Sequence, residues 1–171
     1  MPMKLFSDDN AEGLMLRLNS IIEIENKDDF KTHFRQTILF KDESKLSGTV
    51  ENNQFKIWTH EQGRSGATGI FYPIVTGQFK PLSHGLEIKL NSKMNVIGKI
   101  VCILIGIMLA YVITSDFIIQ ENNDMKYLIR RILAGTVLFG LMFSVPSVIY
   151  FRTSKIIKQY LIKELELRNT R

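Results

Sequence analysis

Apolar positions first recur at helical spacing. Leu14, Leu18, Ile21 and Ile22 share one face, and Asp9 with Glu12 three residues on has capping-box spacing. A helix capped by Asp9 is therefore predicted, ending at Asn26–Asp29. The period then shortens to two. Phe34, Ile38 and Phe40 share a face, Leu46–Val50 repeats the alternation, and Asn52-Asn53 marks a turn. Phe55 and Ile57 oppose Lys56, Trp58 and His60. Residues 61–69 read as a loop by composition. Ile70 to Phe79 is aromatic and branched, with Pro73 suggesting an edge or a bulge. Ser83-His84-Gly85 turns the chain, and Leu86, Ile88 and Leu90 alternate with Glu87 and Lys89. The expected fold of residues 1–95 is α+β: an N-terminal helix and a small antiparallel β-sheet or partial barrel of about five strands.

Beyond residue 95 the alternation stops. Ile100 to Ser115 contains sixteen residues without a charge, and Ile132 to Phe151 contains twenty. A spanning helix needs about 20 mostly apolar residues, so both runs predict transmembrane helices, about 96–118 and 130–151, in a hairpin over 96–151. Neither lies at the N-terminus, where a signal peptide would. Pro146 is expected to kink the second helix, with Ser144 and Ser147 available to satisfy freed backbone groups. Gly98, Gly106, Gly135 and Gly140 offer close helix approach. Neither span carries a central charge, which argues against a transporter. Thr136, Ser144 and Ser147 would line a pore only in an oligomer. Residues 152–171 form a basic amphipathic tail, with Ile156, Ile157, Tyr160, Leu161, Leu165 and Leu167 as its apolar side. Packing of this tail on the sheet is the simpler expectation, and Trp58 is as readily covered by it as left open to stack a ring.

Composition alone conceals this organisation. The chain is 45% hydrophobic and 23% charged with a single cysteine, Cys102, which excludes a disordered tail, a collagen and a disulfide scaffold. The net charge of +5 is uneven: residues 1–95 carry twelve basic and twelve acidic side chains, whereas 152–171 carry six against two. Lys93, Lys99, Arg152, Lys155 and Lys158 therefore flank the spans as membrane-surface residues facing anionic headgroups. By the positive-inside rule both termini are cytoplasmic, although Arg130 and Arg131 on the outer loop oppose this. A neutral N-terminal domain gives no reason to expect nucleic acid as a partner.

The chemistry is sparse. His33, His60 and His84 have no metal-ligand spacing, and Cys102 lies within the first span. No catalytic, cofactor or metal residues are assigned. The Gly63–Gly69 loop resembles a phosphate cradle only superficially, because it leads into a strand. Trp58, with Lys56 and Arg64 nearby, is the one ligand-binding set the pattern suggests, by ring stacking beside positive charge.

The run Phe71-Tyr72-Pro73-Ile74-Val75-Thr76-Gly77 resembles a Phe-x-Pro-Val-x-x-Gly strand of small bacterial membrane proteins of uncharacterised function. Those proteins have Asn-Ser before the Phe, where this chain has Gly69-Ile70. The resemblance implies an opening helix and β meander before a transmembrane hairpin, in a bacterial inner membrane, and brings no activity. The expectation is a non-enzymatic multi-pass membrane protein whose cytoplasmic β-rich module binds a protein partner or small ligand. The alternative is a ligand-triggered membrane-disrupting effector, homo-oligomerising through its two helices. Antiphage proteins joining a β-barrel to two membrane helices are broadly similar, with the barrel after the helices.

Overall fold

The computed structural model describes residues 3–24, 29–31, 33–34, 46–51, 53–58, 70–119 and 125–169. It is an α+β protein built on one mixed sheet. The elements run β1 (Met3–Ser7), α1 (Ala11–Ile21), β2 (Ile22–Ile24), β3 (Leu46–Glu51), β4 (Gln54–Trp58), β5 (Pro73–Leu82) and β6 (Gly85–Met94). Two long helices follow, α2 (Val96–Ile119) and α3 (Met125–Glu164), and then β7 (Arg168–Asn169). The strand order is β2-β3-β4-β5-β6-β1-β7. Among the described strands its edges are β2 and β7, which do not pair with each other. The sheet is also not purely antiparallel, because β2 pairs with β3 in parallel.

The predicted alternations over β3, β4, β5 and β6 appear as strands that pair in sequence. Ser83 and His84 form the two-residue loop between β5 and β6, and Gly85 takes the positive φ of 104° that closes it. Pro73 lies neither on an edge strand nor at a bulge. It is the first residue of interior strand β5, where its missing N–H costs least. The helix cap is Asn10, not Asp9: its side chain accepts from Gly13 N at 2.8 Å, while Asp9 pairs with Arg17 at 3.4 Å. The helix stops at Ile21, five residues before Asn26, because Ile22 joins the sheet beside Leu46. Phe34 belongs to a helical turn in which His33 N donates to Asp29 O, rather than to a strand. The remainder of that strand, 35–40, and the loop 61–69 lie outside the described residues.

One face of the sheet carries the core. Leu5, Phe55, Ile57, Val75, Phe79, Leu86, Ile88 and Leu90 pack against Leu14 and Leu18 of α1, Ile157 and Leu161 of α3, and Leu165 just beyond its end. The tail is thus the continuation of α3, packed on the sheet as expected, and the helix ends at Glu164 rather than Arg171. Its end is a Schellman turn: Leu167 N donates to Ile162 O, Glu166 N donates to Lys163 O, and Glu166 takes a positive φ of 52°. That turn delivers Arg168 and Asn169 to β1 as β7. Arg17 of α1 bonds Glu166 at 3.0 Å, and this bond, reinforced by Asp9, holds its guanidinium above the ordinary value. Ile156 and Tyr160, read as part of the apolar tail face, are exposed.

Candidate functional site at the sheet–helix junction

The described polar chemistry concentrates where the sheet meets the two long helices. Asn95 separates β6 from α2, and it is fully buried. Its Nδ2 donates to Ile70 O at 2.8 Å and to Tyr72 O at 2.9 Å. Its Oδ1 accepts from Gly98 N at 2.8 Å, which caps α2. One side chain therefore closes the first turn of the helix and fixes it to the strand entry at 70–72. Gly98 permits the approach, since a Cβ there would stand 2.9 Å from Ile70 O.

The second helix is bound to the same stretch. Tyr150 Oη donates to Ser92 O at 2.9 Å, and Ser154 Oγ donates to Ser92 Oγ at 2.7 Å. The four residues Ser92 to Asn95 thus hold both α2 and α3. Tyr72 continues the connection on the other face of the sheet. Its hydroxyl and His33 Nδ1 share a buried hydrogen bond of 2.6 Å. The His33 ring meets Trp58 edge-on at 5.0 Å. Trp58, Tyr72 and Ile74 form a small second core there.

The sequence-derived ligand set is only partly brought together. Trp58 is fully buried, covered by the His33 turn and Tyr72 rather than by the tail helix, which lies on the opposite face. Its ring therefore offers no open stacking surface. Lys56 is half-buried on the same sheet face, and Arg64 and His60 lie outside the described residues. His84 is exposed in the hairpin turn. Among the described residues no group of His, Cys, Asp and Glu could hold a metal ion.

The basic set lies along β6, α2 and α3 around the same junction. Lys93 adjoins Ser92 in sequence but points to the other face of the sheet, Lys155 adjoins Ser154 on α3, and these two with Arg152 and Lys99 are exposed. Lys158, one turn further along α3, is half-buried, and desolvation pushes its amine below its ordinary value. The pattern missed His33, Tyr72 and Asn95. Only Asn95 carried a local signal, as an N-cap residue directly before a long apolar run.

One helix, α3, is long and apolar enough to cross a membrane, and only 6% of its most apolar window is buried. The described apolar part of α2, Val96–Tyr111, falls short of that length, so the second span of the expected hairpin is not established by it. Hydroxyls along both helices bond their own backbone: Thr114 to Ala110 O, Thr136 to Ile132 O, Ser144 to Leu141 O and Ser147 to Phe143 O. Of the glycines, Gly106 faces Phe143 of the other helix, Gly98 faces Ile70, and Gly140 faces open space. Compared with family models, characterised proteins and solved structures, the chain matches none.

Proposed function

We propose that the chain is a two-pass bacterial inner-membrane protein, non-enzymatic, whose cytoplasmic sheet binds a partner or small ligand and is locked to both membrane helices. The observation that carries this reading is the double attachment at Ser92–Asn95. A tether would need one flexible connection. Here two helices are held by four side-chain hydrogen bonds to or beside one strand end, so a displacement of the sheet is passed directly to both.

The second span rests on four supports. The helix α2 has 24 residues, about 36 Å at 1.5 Å per residue, enough for a hydrocarbon core of about 30 Å. Gly106 of α2 lies against Phe143 of α3, so the apolar parts of the two helices are side by side at one depth. The exposed apolar side chains of α2, including Ile103, Leu104, Ile107 and Tyr111, have no water-compatible reason to face outward. Self-satisfied hydroxyls suit a hydrocarbon environment, where unpaired donors are costly. They also leave Thr136, Ser144 and Ser147 with no free donor for a pore.

A specific observation favours the effector as second reading. The path His33–Tyr72–Asn95–Gly98 connects the buried Trp58 cluster to the first turn of α2 without a break. Overexpression in a bacterial host, followed by growth and membrane-potential dye, tests it. Growth arrest with depolarisation in wild type, abolished by Asn95→Ala, supports the effector. Harmless expression with normal potential supports the binding module alone.

A further inference from the structure

The zero net charge of residues 1–95 hides a local excess of lysine on strands β5 and β6. The solvent face of β5 and β6 presents Gln78, Lys80, Lys89, Asn91 and Lys93, all exposed. Lys89 stands opposite Lys4 across the β1–β6 pair, and opposite Gln78 across β5–β6. The one acid on these two strands, Glu87, is paired with Lys4 at 3.5 Å. Among the described residues Lys80, Lys89 and Lys93 have no ion pair. The other described acids lie off these two strands: Asp8, Asp9 and Glu12 at the start of α1, Asp29 in the His33 turn, Asp116 on α2, and Glu164 and Glu166 at the end of α3. Glu23 on β2 and Glu51 on β3 are also off them but share this sheet face, Glu51 across Gln54 and Gln78 from Lys89.

An exposed sheet face is ordinarily polar, but two features exceed that expectation. Like charges directly opposite are unfavourable, and here Lys4 faces Lys89. Lysines that guard a sheet against aggregation sit on edge strands, whereas β5 and β6 are interior.

We propose that this face binds an extended acidic segment of a protein partner; the inference rests on the binding-module reading and names the partner's chemistry. Anionic lipid is a poor match for most of the stripe. The helix α3 runs beside the sheet from Ser92, which contacts Tyr150 and Ser154, to Arg168, which pairs with Phe6 opposite Glu87. The strands therefore follow the helix away from the membrane end. Lys80, opposite Glu87 and seven residues from Met94, stands ~23 Å out at roughly 3.3 Å per residue. That is about three Debye lengths at physiological salt. Single-stranded nucleic acid requires exposed rings for base stacking. Trp58 is fully buried and the Phe6 ring lies against Gly85, 2.8 Å from where a Cβ would stand. Lys89, Asn91 and Lys93 repeat at alternate positions of one strand, the period at which an extended chain presents its own side chains.

The test uses the full chain in nanodiscs of zwitterionic phosphatidylcholine and a fluorescein-labelled ten-glutamate peptide, read by fluorescence polarisation at low salt. The expected result is saturable binding, weakened at least tenfold in Lys80→Glu/Lys89→Glu, by a smaller factor in Lys80→Gln/Lys89→Gln, and little in the charge-matched Lys31→Glu/Lys163→Glu. Absence of peptide binding, equal affinity of wild type and Lys80→Glu/Lys89→Glu, or tighter binding of a twenty-nucleotide thymidine strand overturns the proposal. Failure here leaves the membrane reading standing, because that reading is measured by topology.

Discussion

At the residue scale Asn95 carries the largest local consequence. Its amide satisfies two backbone carbonyls and its oxygen caps a helix, all at a position with no access to water. Asn95→Ala leaves those groups unpaired and is expected to cost ~2–4 kcal/mol in thermal or denaturant unfolding in mild detergent. Asn95→Asp keeps the cap acceptor but turns a carboxylate toward two carbonyls, so it should rescue little. Lys158 makes a pH-dependent prediction. Burial lowers its amine below the ordinary 10.5, so the folded state disfavours the charged form. Its contribution is present above the unfolded value and lost as pH falls through the folded one, leaving a cost at neutral pH. Lys158→Met should therefore unfold at higher temperature than wild type at pH 7, with the gap closing as pH approaches 10.5. Residue-level reading of the sequence failed where a neighbour decided the outcome. Asp9 has the same capping chemistry as Asn10, and its attraction to Arg17 draws it off the helix end. Trp58 alternates like a surface residue, yet the His33 turn covers it from a part of the chain 25 positions away.

At the element scale, what was legible had a long period of its own. The alternations of β3 to β6 and the apolar runs of α2 and α3 are carried within single segments, and each appears in the structure. The strands β2 and β7 were invisible because two or three residues hold no period, and β1 because Met-Lys-Leu-Phe-Ser does not alternate, with Ser7 buried and Phe6 on the outer side. They exist through their partners, β1 between β6 and β7, and β2 beside β3. The continuity of α3 through Arg152 to Glu164 was half legible: the tail's apolar spacing was clear, but only packing shows that the helix does not break at the charge boundary. This dual helix should respond to truncation in two ways. Leu161→Ala, in the core, is expected to lose ~2–4 kcal/mol on denaturant unfolding. Leu141→Ala, 61% exposed on the apolar part, should change stability by less than ~1 kcal/mol in detergent. Equal losses would mean that α3 does not divide into a core end and a lipid end.

At the scale of the whole molecule, the inner face of the sheet is closed by α1 and the end of α3, its outer face carries the lysines of β5 and β6, and its Ser92–Asn95 end is bonded to two apolar helices. Charge sums along the chain could not reveal this grouping, because sheet register rather than sequence distance brings Lys80, Lys89 and Lys4 together. The central claim is that both helices cross, with the sheet and the end of α3 on the cytoplasmic side. Single-cysteine labelling in intact cells tests it most directly, on a Cys102→Ser background carrying Ser83→Cys, Asn123→Cys or Lys163→Cys, with a membrane-impermeant thiol reagent. The account predicts labelling of the Asn123→Cys chain alone, with the other two reacting only after the membrane is opened. Labelling of either the Ser83→Cys or the Lys163→Cys chain in intact cells would contradict it.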